Sequence, residues 1–446
     1  MAFKLLSIIR NKHFHSLLGN VTMAFFNVLS FSLLVRILSV GAFGEWVLFL
    51  ATYNILDQVR TALLQSGIIK FCAGVDEQTE KQVSGAAWYI SLLLTLACIV
   101  LSFVVYFAAH SLFSDTWHFF LRWLGIMLLF SLPFNFATWL LQARHRFDKI
   151  VQIRFMQNGS FLVFIGLLFL LKAVTLNNVL YAYALSLLIT SLYCMLFRWT
   201  VFSTIVLRKK EQVLAMYRYG RLIVGSMASS ALLNYSDNLV LRTMLSPAAV
   251  AVYSIPQKFM EVIEIILRSF VATSQPTISS AANRNDWKEV SRAFCRYTGT
   301  VSLIILPFIV GLIIFTQPLI IILASKTYLP ATTIVRIFLL SAILYPIDRF
   351  IGVTLDMINR PGVNFYKNLL KLVLNIILDI ALVMLFPDIS SVAIASSLNL
   401  LFAVVFGYYF LRRYLPDLRL VDIFRYGVKE CQRLFSKLMQ RRLQYK

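Results

Sequence analysis

Charged side chains stand inside long apolar stretches of this 446-residue chain, and their spacing is regular. Over 248–273, Lys258, Glu261, Glu264 and Arg268 follow at steps of three, three and four, which puts them on one face of a helix. Glu264 and Arg268 also have the favourable acid-before-base order of an i,i+4 pair. Asn368, Lys371, Asn375 and Asp379 repeat the pattern, and Asp57 and Arg60 are i,i+3 neighbours. Further polar groups occur at Asn234, Asp237 and Asn238, and at Asp348, Arg349 and Asp356. Two chemistries fit such residues. They can pair internally and lock helices together, or they can line a hydrated interior that receives a charged ligand. Arginine grips phosphate oxygens bidentately and lysine acts as a point charge, so Arg60, Lys258, Arg268 and Arg349 are candidates for holding an anion. Asp57, Asp237, Glu261, Glu264 and Asn375 complete the candidate cavity.

What must position them is a membrane protein. The chain is 59% hydrophobic and only 14% charged, with mean hydropathy +0.77, against roughly 25% charged residues in a soluble domain. A charge near the bilayer centre costs about 2.5–3.5 kcal/mol, so those named above are expected to face water or a partner. Apolar runs bounded by breakers and charges give twelve expected spans: 15–36, 43–66, 84–109, 118–142, 153–172, 177–197, 219–241, 248–273, 296–319, 331–355, 365–386 and 390–411. Pro133, Pro256, Pro307 and Pro346 fall inside them and permit kinks, Pro256 and Pro346 as candidate gating positions.

The net charge of +22 follows from topology and not from nucleic-acid binding. Alternate connections and the tail hold 32 of the 42 Lys and Arg, whereas the opposite connections hold little beyond Lys172 and Lys326. An even span count with both termini cytoplasmic fits that asymmetry. The start, 1–16, has no signal-peptide pattern and reads as an interfacial lead-in. The tail, 414–446, mixes Leu, Ile and Phe with basic residues and reads as an amphipathic helix on the anionic inner leaflet. The five cysteines are scattered without metal-ligand spacing, so no metal or cofactor is expected. No connection is long enough for a catalytic domain; the outward segment 111–118 offers only Asp115 and His118, which reads as a wet turn.

VRILSVGAFGEWVLF after the first span and LRTMLSPAAVAVYSI after the seventh share an apolar-Arg start, a small-residue turn and an aromatic. Arg36 and Arg242 lie 206 positions apart and are positional candidates; Gly41 and Gly44 are expected to make the first turn. Six spans plus six implies two parallel lobes, 1–197 and 219–413, joined by a linker at 198–218.

These blocks, together with LLQARHRFDKIVQIRFMQN, YGRLIVGSMASSALLNYSDNLVLRTMLSPAAVAVYS, INRPGVNFYKN and SVAIASSLNLLFAVVFGYYFLRR, resemble the polysaccharide-transport branch of the MOP exporter superfamily over residues 17–413. The resemblance implies an all-α, MATE-like membrane protein that flips a polyprenyl-diphosphate-linked oligosaccharide for O-antigen, capsule or exopolysaccharide across a bacterial inner membrane. Alternating access would be its mechanism, and its partners would be membrane lipids and the polymerase or glycosyltransferases of one pathway. Intramembrane acids keep a multidrug or cation antiporter of the same fold open, and a peptidoglycan-precursor flippase is a further alternative. A membrane enzyme or scaffold is disfavoured by the short connections.

Overall fold

Inside a bilayer every backbone N–H and C=O must find its partner within the protein, which leaves helices as the natural form for long apolar runs. The computed structural model describes residues 12–72, 75–108, 115–144 and 146–443, and among them there is no strand. The lead-in at 1–11 and the connection at 109–114 lie outside the described residues. Fifteen helices follow in order: α1 (Lys12–Ile37), α2 (Val40–Cys72), α3 (Glu77–Ala108), α4 (Asp115–Ala143), α5 (Phe147–Leu170), α6 (Leu176–Leu196), α7 (Lys210–Val240), α8 (Pro247–Asn283), α9 (Trp287–Ile314), α10 (Thr316–Leu323), α11 (Ala331–Ser341), α12 (Tyr345–Met357), α13 (Pro361–Leu385), α14 (Ile389–Tyr414) and α15 (Leu420–Leu443). Seven contain a described stretch long and apolar enough to cross a membrane: Glu77–Phe107, Trp123–Ala143, Phe147–Leu170, Leu176–Leu196, Trp287–Ile314, Pro361–Leu385 and Ile389–Tyr414.

Two expected spans take a different form. The stretch 331–355 is α11, one 3-10 turn at Ala342–Leu344, and then α12. Pro346 stands in the first turn of α12 and cannot donate to the preceding turn. The stretch 296–319 runs across the end of α9 at Ile314 and into the eight-residue α10.

The turn between α1 and α2 also differs from expectation. Gly41 and Gly44 lie within α2, and the turn is only Leu38–Ser39. Ser39 Oγ accepts from the Ala42 amide at 3.3 Å, which satisfies one of the open N–H groups at the helix start. Ser246 does the same for α8, accepting from the Ala249 amide at 3.1 Å, with Pro247 as the first helical residue. Arg36 is in the last turn of α1, where a cation suits the helix dipole. Its counterpart Arg242 lies in a five-residue π turn, Leu241–Leu245, after α7.

The chain forms two compact units, Met1–Tyr235 and Ser236–Lys446, so their boundary falls inside α7. In the first unit α1 packs along α5, α3 on α4, and α4 on α2 and α6. Trp88 of α3 stacks on Phe136 of α4 with ring centres 4.3 Å apart, among Leu64, Ile68, Val83, Leu132 and Leu140. Trp88 Nε1 donates to the Thr200 carbonyl at 2.8 Å. A 3-10 helix at Phe202–Leu207 then crosses α3 at Gly85, where a Cβ would lie only 3.0 Å from the Thr204 carbonyl carbon. Segment 198–207 is therefore seated on this unit. Outside the membrane, the Thr79 hydroxyl and amide donate to Asp76 at the start of α3, at 2.7 and 3.0 Å. They hold its carboxyl below the usual value.

In the second unit α9 packs against α15, and α14 packs against α13, α12 and α11. The tail is thus an amphipathic helix, and one face of it is already covered. Ile423 and Gly427 are buried against α9, while Val421, Phe424 and Val428 are exposed. A Cβ on Gly427 would lie 2.8 Å from the Cα of Gly299, so only a glycine pair permits this approach.

Candidate functional site

The charged stripes of the sequence fold into four separate arrangements. In the first unit, Arg60 of α2 is 3% exposed. Its Nη2 donates to Asp57 Oδ1 and, at 2.7 Å, to Ser131 Oγ. Its Nη1 donates to the Leu128 carbonyl at 2.7 Å and to Thr95 Oγ1 at 3.3 Å. Asn135 Nδ2 adds a 3.1 Å bond to the same Asp57 oxygen. The guanidinium therefore ties α2 to α3 and α4, and these bonds fix its rotamer. Asp57 keeps a side-chain exposure of 23%.

The α8 stripe resolves into two local ion pairs. Lys258 Nζ meets Glu261 at 2.8 Å, and Arg268 meets Glu264 at 2.9 Å, as the i,i+4 spacing anticipated. Their side chains are 26–64% exposed, so these pairs face outward from the unit core. Pro256 lies on the same helix, buried, one turn before Met260. Arg349 of α12 is exposed.

A third arrangement joins residues far apart in the chain. Asp237, at the end of α7, accepts from Tyr253 Oη of α8 at 2.6 Å, from Asn375 Nδ2 of α13 at 2.6 Å and from Ser396 Oγ of α14 at 3.1 Å. Asn375 Nδ2 also reaches Asp379 Oδ2 at 2.8 Å, and Asn375 Oδ1 accepts from Asn399 at 2.8 Å. Asn375, Asp379 and Asn399 are each no more than 2% exposed. Two carboxylates thus share one amide, and the hydrogen-bonding groups around them are neutral. One proton between them, or one small cation among the oxygens, would balance such a pair. Among the described residues no group of three or more His, Cys, Asp and Glu gathers as a metal site.

The fourth arrangement is also buried, with the opposite sign. Asp348 of α12 receives Lys367 Nζ at 2.6 Å on one oxygen and Lys371 Nζ at 3.0 Å on the other. At the end of α12, Asp356 accepts from Asn364 Nδ2 at 3.0 and 3.1 Å.

Sequence spacing located Asp57–Arg60 and the α8 pairs, because those partners share a helix. It placed Asp237 on a different stripe from Asn375 and Asp379 and gave Tyr253, Ser396 and Asn399 no part, since their meeting depends on tertiary packing. Lys367 was counted as a loop charge. The one available signal was its position four residues before Lys371 in an apolar helix.

With this geometry in hand, comparison with known proteins is informative. The sequence pattern of a family described as "Polysaccharide biosynthesis protein" matches residues 33–333. The chain belongs to this family. A protein of Haloferax volcanii described as a probable low-salt glycan biosynthesis flippase is 20% identical over 185 residues. That stretch is 42% of this chain and 39% of the relative, so the alignment spans well under half of the archaeal protein. Among solved structures, a multidrug-resistance MATE transporter of the MOP superfamily superposes with TM-score 0.77 at 13% identity, over 90% of this chain and 98% of its own. The lipid II flippase MurJ superposes with TM-score 0.70 at 13% identity, over 95% and 92%. A MOP transporter from Pyrococcus furiosus, whose description notes a binding pocket of reversed polarity, gives TM-score 0.62 at 12% identity over 92% and 95%. At such identities the likeness establishes the fold, which is that of MOP-superfamily transporters. The chain is accordingly a multi-pass membrane protein with the fold seen in MOP-superfamily transporters.

Proposed function

We propose that the protein carries a polyprenyl-diphosphate-linked oligosaccharide, a unit of O-antigen, capsule or exopolysaccharide, from the inner to the outer leaflet of a bacterial cytoplasmic membrane. The observation that carries this reading is the polysaccharide-biosynthesis family match over residues 33–333 on a transporter fold. MurJ and the Haloferax relative are each described as flippases, one for lipid II and one for glycan biosynthesis, which supports a lipid-linked glycan as cargo. Alternating access is the proposed cycle, with twelve spans and both termini cytoplasmic. Lys258, Arg268 and Arg349 offer cationic contacts, with Glu261, Glu264, Asp237 and Asn375 shaping the polar lining. Arg60 and Asp57 act by holding the first unit's helices. Arg36 and Arg242 are positional, and Pro256 and Pro346 are bending points. Each negative charge moved outward in an inside-negative cell gains about 2.3 kcal/mol per 100 mV, so the membrane potential assists export. The pathway's glycosyltransferases would supply the cargo on the inner face, and a polymerase would consume it on the outer.

A second reading, a cation-coupled multidrug antiporter, draws on the MATE likeness and on the Asp237/Asp379 pair; a peptidoglycan-precursor flippase draws on the MurJ likeness. A clean deletion separates the three. Loss of outer-leaflet glycan-lipid with its accumulation on the inner leaflet, in cells whose wall synthesis and dye efflux are unchanged, is the expected result. Normal outer-leaflet glycan-lipid in the deletion strain overturns it. Loss of dye efflux alone would establish the antiporter, and arrest of wall synthesis the precursor flippase.

A further inference from the structure

Within the second unit, Asp348, Lys367 and Lys371 carry one negative and two positive charges. The side-chain exposures are 16% for Asp348, 4% for Lys367 and 16% for Lys371. Buried charges are normally matched, and here one positive charge is left over. A further carboxylate, Asp356, accepts from Asn364 and lies in the fields of both Lys367 and Arg349, so the five charged groups together still carry one positive charge. Among the described residues each ammonium donates one hydrogen bond, to Asp348, although an ammonium has three N–H donors. Four donors thus converge around a single carboxylate with no protein acceptor assigned to them.

The arrangement is built. Gly407 of α14 makes room for the Lys367 stem, since a Cβ there would lie 3.1 Å from Lys367 Cδ and 2.9 Å from Ile351 Cγ2. Lys371 stands four residues further along the same helix face, and Asp348 spaces the two ammonium groups. Lys371 and Asp348 retain enough exposure for a ligand to approach.

We infer that Lys367 and Lys371, spaced by Asp348, form a phosphate site in the second unit that receives the diphosphate of the transported lipid. Two ammonium groups with spare donors suit a ligand carrying several negative oxygens close together. Asp348 is nine residues before the end of α12 and Lys371 ten residues into α13, each about 15 Å from the Asn359–Arg360 turn between them. In the proposed orientation that turn is cytoplasmic, so the site is within the inner-leaflet half, where a headgroup from that leaflet first arrives. The inference rests on the proposed cargo, and it names residues that the cargo's charge would select.

Binding of geranylgeranyl diphosphate to the purified full-length protein in detergent, followed by intrinsic fluorescence, tests the site. Geranylgeraniol, inorganic pyrophosphate and phosphatidylglycerol serve as comparisons. Wild type is expected to bind the diphosphate lipid at least about tenfold more tightly than the alcohol, and Lys371→Gln to lose about that factor. Lys371→Arg should recover most of it, and Lys326→Gln, an exposed lysine elsewhere, should leave it intact. Lys367→Gln should behave like Lys371→Gln if it folds; if it does not, the Lys371 pair of variants decides. Equal binding of the diphosphate by wild type and Lys371→Gln overturns the site while leaving the proposed cargo standing. A wild type that prefers the alcohol, or does not distinguish the two, overturns the cargo and the site together. Equal competition by phosphatidylglycerol or pyrophosphate overturns the assignment to a diphosphate lipid.

Discussion

At the scale of single residues, the question is whether an intramembrane charge is held by the protein or offered to a ligand. Arg60 is held: four hydrogen bonds from its terminal nitrogens reach α2, α3 and α4, and it is 3% exposed. Removing one member of such a pair leaves the other buried and unbalanced, which typically costs about 3–5 kcal/mol. Replacing both with apolar residues of similar volume costs much less. Arg60→Met alone should therefore lower the unfolding temperature of the purified protein more than the double variant Asp57→Leu/Arg60→Met does. Additive losses in that thermal double-mutant cycle would show that the pair is not coupled. The sequence made this pair visible through its i,i+3 spacing. It could not show Thr95, Leu128 and Ser131, which lie 35 to 71 positions away. The same limit applied to Asp237 and Asp379, whose shared partner Asn375 is on the same helix as only one of them. Local spacing reads neighbours along a helix, and the buried polar clusters are built across helices.

Helix-scale features were legible where apolar length set them and obscure where close approach did. Long apolar runs located most helices, but the breaks at Ala342–Leu344 and after Ile314 depend on local turn geometry that hydropathy averages away. Gly41 and Gly44 read as turn residues yet lie within α2, whereas other glycines serve as contact points. Gly85 admits the backbone of Thr204 to α3, and Gly299 with Gly427 admits α15 to α9. The tail helix therefore has two apolar aspects, one covered by α9 and one presenting Val421, Phe424 and Val428. Cys295, 2% exposed on α9, reports on the covered side. Gly427→Val must push the helices apart, since the added Cβ meets backbone and not a flexible side chain. Cys295 in that variant should become reactive toward a small maleimide under conditions that leave the wild-type residue unlabelled, with Cys431 replaced by Ser in both proteins. Unchanged protection of Cys295 would mean that α15 stays docked despite the insertion.

Taken whole, the chain carries its duplication further than the paired Arg36 and Arg242 motifs indicated. Ser39 and Ser246 cap equivalent helices 207 positions apart. Gly85 of α3 and Gly299 of α9, 214 apart, lie under the segments that follow α6 and α14, at Thr204 and Ile423. Segment 198–207 and the tail are thus counterparts, each packed on its own unit. The proposed even number of crossings, with both ends on the cytoplasmic side, rests on the concentration of Lys and Arg on alternate connections. Reporter fusions in a bacterial inner membrane can decide this. Green fluorescent protein joined after Lys446 should fluoresce, and so should the same reporter inserted at Arg208–Lys209 beside the 3-10 segment that follows α6. Alkaline phosphatase inserted after Lys172, in the charge-poor turn between α5 and α6, should be active, because it folds only on the outer side. An active phosphatase at Lys446 would place the tail and segment 198–207 on opposite faces. That result would contradict parallel copies and, with them, the twelve-span architecture inferred from the charge pattern.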